Sequence, residues 1–316
     1  MHRLLYIATF LVSIPLASTA QNTVDFSSFT RTSYHEVTVH DPSIVYDNAG
    51  TYYIFGSHRA VSKSTDLINW TQCADNVNNY GNWGWQNTGY TIEGNEWAPD
   101  VIWNPTMNKW LMYMSLNGDK WCSAIVCLAA DNIEGPYVYQ GPVVYSGFRG
   151  RVDHVGYSKT DDWKHTDLAQ AIGATSLPER YNVEKWGSYW PNCIDPCVTF
   201  DNGKMYMTYG SWSGGIFQIQ LDPSTGLRDY SVEYPYEING TAATPGAANA
   251  NCTSDPYFGK KLAGGYYVSG EGAYIKKIGK YYYLFLLTTM AMLSLFITLV
   301  ISTRARCTMY ACVNSL

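Results

Sequence analysis

Four times along the chain an acidic residue is followed, ten or eleven residues later, by a short aromatic strand pattern. The copies run from Asp41-Pro-Ser-Ile-Val to Tyr52-Tyr-Ile-Phe55, from Asp100-Val-Ile-Trp to Trp110-Leu-Met-Tyr113, from Asp195-Pro-Cys-Val to Met205-Tyr-Met-Thr208, and from Glu271-Gly-Ala-Tyr-Ile to Tyr281-Tyr-Tyr-Leu284. Turn chemistry sits inside each copy, as in Asp47-Asn-Ala-Gly50, Pro105-Thr-Met-Asn108, Asp201-Asn-Gly203 and Ile278-Gly279, where residues tolerant of positive φ reverse a hairpin. Such hairpins, each opening on a carboxylate, predict an all-β fold whose blades are those of a β-propeller, with the innermost strands aiming their acids at a shared channel.

Period-2 and continuous apolar runs dominate residues 40–287, and segments with a 3.6-residue period are nearly absent. A hydrophobic share of 46% over 316 residues is ample for a packed core. The net charge of -5 and the lack of Lys/Arg runs argue against a polyanion partner, so no nucleic acid is expected. The stretch 148–191 breaks the rhythm and reads as a long loop carrying one short helix, 167–174, of the kind that shapes a cleft. The run 239–251 reads as a surface excursion.

The two ends differ from the middle. His2 and Arg3, the apolar run Leu4 to Leu16 and the small residues Ser18 to Ala20 form the pattern of a secretory signal over 1–20, so an extracellular location is expected. The propeller domain is assigned to 21–286. Residues 281–302 carry no charge and are followed by Arg304 and Arg306, which meets the length and flank criteria of a membrane span. The first third of that run, however, is needed as the second strand of the fourth copy, and 287–316 is set apart as an atypical apolar tail. Cys193 and Cys197 flank Asp195 on one strand, where four residues span about 13 Å, too far for a disulfide. Cys122 and Cys127 face opposite sides of a strand, which disfavours a metal site on either pair.

Glycosidic bond cleavage uses one carboxylic acid to protonate the leaving oxygen and a carboxylate to activate water or attack the sugar. Asp41, Asp195 and Glu271 are the candidates; Asp100, beside Pro99, reads as structural. His40 alternates away from Asp41 on a regular strand and reads as a packing residue. Taken alone, an Asp-Pro pair is more often a turn or strand-end acid, and it is the conjunction of copies that points to chemistry.

His40-Asp-Pro-Ser-Ile44, Glu96-Trp-Ala-Pro-Asp100, Ile194-Asp-Pro196, Gly210-Ser-Trp-Ser-Gly-Gly215 and Gly270-Glu-Gly-Ala-Tyr274 together resemble family 43 glycoside hydrolases, most closely secreted endo-1,5-α-L-arabinanases. The resemblance implies a five-bladed propeller, about four blades of which fall within this chain, and hydrolysis with inversion. On matching positions it implies Asp41 as general base, Glu271 as general acid and Asp195 as the group that orients the acid and raises its pKa. Base and acid are then expected roughly 6.5 to 9.5 Å apart. Trp97, Ser211 and Ser213 are the substrate-binding candidates.

The same resemblance implies a polysaccharide substrate (arabinan or pectin side chains), a monomer, and a central calcium whose ligand histidine has no counterpart in this chain. The chain departs from the pattern after Leu286, so the alternative function is a catalytically inactive, truncated or membrane-tethered glycan-binding propeller. Endo against exo cleavage, and arabinan against xylan-derived substrates, stay open at the level of sequence.

Overall fold

The computed structural model describes residues 37–73, 96–117, 122–150, 163–185, 189–211, 214–244, 251–264 and 270–288, together with the backbone of two further strands. All belong to one compact unit, Tyr34–Leu316. The expected signal segment, Ser213 and residues 245–250 lie outside the described residues.

The chain is all-β, with four antiparallel sheets arriving in chain order. The first holds β1 (Ser43–Tyr46), β2 (Tyr52–Gly56), β3 (Ala60–Ser64) and β4 (Thr71–Gln72). The second holds β5 (Glu96–Asn104), β6 (Lys109–Asn117), β7 (Ser123–Ala130) and β8 (Val138–Tyr145). The third contains β9 (Cys197–Asp201), β10 (Lys204–Tyr209), β11 (Ile216–Leu221), β12 (Glu237–Ile238), β13 (Thr241–Ala242), β14 (Cys252–Asp255) and β15 (Gly259–Ala263). Its spatial order is β13-β12-β14-β15-β11-β10-β9. The fourth pairs β16 (Gly270–Ile278), β17 (Tyr281–Thr288), β18 (Phe296–Val300) and β19 (Thr308–Cys312). Each repeated sequence copy is thus the first hairpin of a sheet.

The turns follow from their residues. Asn202 and Gly203 both adopt positive φ, 50° and 78°, which is the type I′ geometry that matches strand twist. Asp47 closes the first hairpin by accepting the N–H groups of Ala49 and Thr51 on Oδ1 at 2.7 and 3.0 Å. The core is thickest at the second sheet, where every residue of β7 is buried and Leu111, Met112 and Tyr113 of β6 have no exposed surface. Each such side chain contributes about 1.5–3 kcal/mol.

Among its described residues the long loop contains helix α1 (Leu168–Ile172), inside the expected range, and three short 3-10 turns. The excursion near 240 is not simply a loop, because β12 and β13 pair there and β14 joins them to the third sheet. The apolar tail supplies β18 and β19, whose backbones extend the fourth sheet beyond β17. Among the described residues no helix is long and apolar enough to cross a membrane.

Candidate active site

The first strands of all four sheets line one cavity of about 820 Å³, among them Asp41, Asp100, Asp195 and Gly272. Backbone conformation shows how the copies correspond. Asp41, Ala98, Asp195 and Gly272 have φ of 51°, 42°, 56° and 62°, and each stands two residues before a paired strand position. Those pairs are Ser43 with Phe55, Asp100 with Tyr113, Cys197 with Thr208 and Tyr274 with Phe285. In the second and fourth sheets the register shifts across this kink, the signature of a bulge.

The equivalence drawn from sequence spacing is therefore corrected. Asp41 and Asp195 match Ala98 and Gly272, whereas Glu271 matches Trp97 and His40, one residue earlier. Asp100 matches Ser43 and Cys197. A left-handed kink shifts the alternation of side chains, which counting along a regular strand cannot reveal. His40 is corrected by the same kink: its Nδ1 lies 2.7 Å from Asp41 Oδ2, and its side chain is 81% exposed rather than packed.

Small residues at the ends of the second strands hold these kinks. The Ser57 hydroxyl donates to Asp41 Oδ2 at 2.6 Å and accepts the Ala98 N–H at 2.9 Å. Ser115 accepts the Asp195 N–H at 3.0 Å, so one sheet fixes the kink of the next. At the third sheet the equivalent residue is Gly210, which has no side chain to offer, and Asp195 acts in its place through Oδ2, which accepts the Gly272 N–H at 3.1 Å. Asp195 thereby grips the residue next to Glu271. Ser57 and Ser115 were missed from sequence, although each is a small residue two positions after an aromatic one, Phe55 and Tyr113, of a second strand.

The carboxyl pKa of Asp195 is raised to about 6. Burial is the main cause, opposed by the Gly272 N–H and reinforced by the charges of Asp41 and Glu271, so both of those acids lie within electrostatic reach of Asp195. Asp100 is also raised to about 6 by burial, while its oxygens accept from Ser43 Oγ at 2.9 Å and Val198 N at 2.6 Å. It ties β1, β5 and β9 together, as its structural reading requires.

Trp97 is half-buried at the bulge position shared with Glu271, and neither side chain lines the cavity itself. Ser211 has no exposed surface; its hydroxyl favours the ionised form of Asp195 without reaching hydrogen-bond geometry to it. Six cysteines are buried and unbridged among the described residues, including Cys193 and Cys197. Among the described residues no three His, Cys, Asp or Glu side chains are placed to hold a metal ion, and both oxygens of Asp100 accept from protein donors.

Residues 34–163 match the family model Glycosyl hydrolases family 43. The chain is 33% identical over 293 residues to the extracellular endo-α-(1→5)-L-arabinanase 2 of Bacillus subtilis (strain 168), an alignment covering 89% of this chain and 50% of that protein. These matches place the similarity of the chain in glycosyl hydrolases family 43. A second relative, the extracellular endo-α-(1→5)-L-arabinanase of Thermotoga petrophila, is 32% identical over 265 residues, with coverages of 78% and 45%. The chain spans about half the length of these two curated relatives. Among solved structures, a family 43 glycoside hydrolase protein from Bacillus licheniformis aligns with a TM-score of 0.57 at 33% identity, covering 85% of this chain and 52% of that one. The T. petrophila endo-1,5-α-L-arabinanase in complex with TRIS gives 0.58 at 28% identity, with coverages of 85% and 53%.

Proposed function

We propose that this chain is an extracellular endo-acting family 43 hydrolase of α-1,5-linked L-arabinan, built as a five-bladed propeller and inverting the anomeric centre. The observation that carries the reading is Asp195: its carboxylate holds the N–H beside Glu271 while the charges of Asp41 and Glu271 both bear on it. The names of the two curated relatives supply the substrate class and the extracellular setting.

In this scheme Asp41 is the base. Ser57 and His40 engage Oδ2, and Oδ1 has no protein donor among the described residues, so Oδ1 is the atom that takes the proton from water. The hydroxide equivalent attacks the anomeric carbon as the glycosidic C–O bond breaks. Glu271 gives its proton to the departing oxygen, which leaves as an alcohol. Asp195 is a positioning residue, carrying a proton near neutral pH more readily than an ordinary aspartate and thereby limiting repulsion among three clustered acids. Trp97 offers a flat ring to a furanose face. Ser211, lacking surface, supports Asp195 rather than sugar.

The test is a time course on linear debranched arabinan with proton NMR of the first products. Long oligosaccharides bearing the inverted anomer are expected. First-formed products of retained configuration would rule out the base role of Asp41.

A further inference from the structure

A second cavity, of about 310 Å³, is lined by Gln170, Ala171, Arg228, Tyr230, Glu233, Tyr234 and two neighbours, none of which belongs to the site above. Arg228 is 6% exposed, and its guanidinium lies 5.0 Å from the centre of the Tyr257 ring and 5.4 Å from that of Tyr230. Nη2 donates to the Pro256 carbonyl at 2.9 Å, while Nη1 is buried without an acceptor among the described residues. No carboxylate pairs with it among the described residues. Asp167 stands one ring away, its two oxygens accepting from the hydroxyls of Tyr230 and Tyr257.

The molecule contains its own comparison. Arg180, with no exposed surface, also leaves one guanidinium nitrogen without an acceptor among the described residues, but its charge is paired with Asp255, because an uncompensated buried charge is costly. Two tyrosine faces offset part of that cost for Arg228. They do not satisfy the Nη1 donor, and a guanidinium lining a cavity is suited to a carboxylate, whose two oxygens match its fork.

We propose that this cavity binds a sugar acid, a hexuronate either free or as a residue of an acidic polysaccharide. The carboxylate would meet Arg228, the ring carbons would lie on the exposed face of Tyr230, and the hydroxyls would reach Gln170 and Glu233. Glu233 decides against a phosphate: a dianion would face one cation and a neighbouring carboxylate, whereas a monoanion with hydroxyls can use both. The volume accommodates a single pyranose ring.

Titration calorimetry of the full chain with D-galacturonate, its methyl ester and inorganic phosphate tests this. The acid is expected to bind with a Kd on the order of 1 mM, and the ester at least about tenfold more weakly. Arg228→Gln should abolish binding of the acid with the fold intact by circular dichroism, and Tyr230→Ala, at a half-exposed residue, should weaken it severalfold. Should Arg228→Gln fail to fold, the acid-to-ester ratio on the unaltered protein and the Tyr230→Ala loss decide. Equal binding of acid and ester, unchanged binding in a folded Arg228→Gln, or phosphate binding as tight as the uronate would each overturn the proposal. Arabinan hydrolysis is not measured in any arm, so the result is independent of the main site.

Discussion

Replacing Asp195 by asparagine is expected to make the protein more stable near pH 7.5 while impairing hydrolysis. The folded state lifts this carboxyl from the ordinary value of 3.8 to about 6, first by burial and then by the charges of Asp41 and Glu271. The folded protein therefore holds the Asp195 proton more tightly than the unfolded chain does. Its contribution to stability is fully present below the unfolded value and is lost as pH rises through about 6. Above that, ionised Asp195 costs the fold up to about 3 kcal/mol, and screening by cavity water leaves about 1–3 kcal/mol. An asparagine removes the charge and keeps an oxygen for the Gly272 N–H. Thermal unfolding at about pH 7.5 should then show a rise in Tm on the order of 5 °C, with little difference at about pH 4, where the native carboxyl is already protonated. A variant no more stable at the higher pH, relative to the unaltered protein, than at the lower would refute the assignment of a costly buried charge to Asp195.

Glu271→Gln should abolish arabinan hydrolysis but spare much of the activity on an aryl arabinoside whose leaving group needs no proton, whereas Asp41→Asn should be severe on both; equal losses for Glu271→Gln would remove it from the acid role. Gly270→Ala would place a Cβ 2.1 Å from the Leu287 carbonyl oxygen and 2.4 Å from Leu286 Cδ1, so β16 must part from β17, and urea denaturation should show a loss of at least about 2 kcal/mol. Asp255→Asn leaves the Arg180 charge buried beside a neutral partner and should cost about 3–5 kcal/mol in the same assay; a loss under about 1 kcal/mol would mean that the pair carries little weight.

The hairpins could be read from the sequence because their information is local. Asp47, Asn108, Asn202 and Gly203 hold the backbone angles or hydrogen bonds that each turn needs, and the apolar strands flank them. The acids were also legible as a group, since Asp41, Asp195 and Glu271 each open a strand. Their register was not. It is set by kinks at Asp41, Ala98, Asp195 and Gly272, and a left-handed Ala98 followed by proline is strained in isolation. The hydrogen bond from its N–H to Ser57, in the turn that follows β2 of the first sheet, supports that conformation. His40 was misread as a packing residue and Ser115 escaped notice for the same reason, since their partners follow from tertiary placement. The outer strands β12 and β13, two residues each, are too short to show any period.

The third sheet has seven strands where the others have four, yet β9 sits at its edge beside the cavity and every addition lies on the far side of β11. Growth at the periphery thus leaves the chemical centre undisturbed. Insertions outward of β11 should be tolerated without loss of turnover, whereas changing by one residue the short step between a kink and its strand would misdirect a carboxylate.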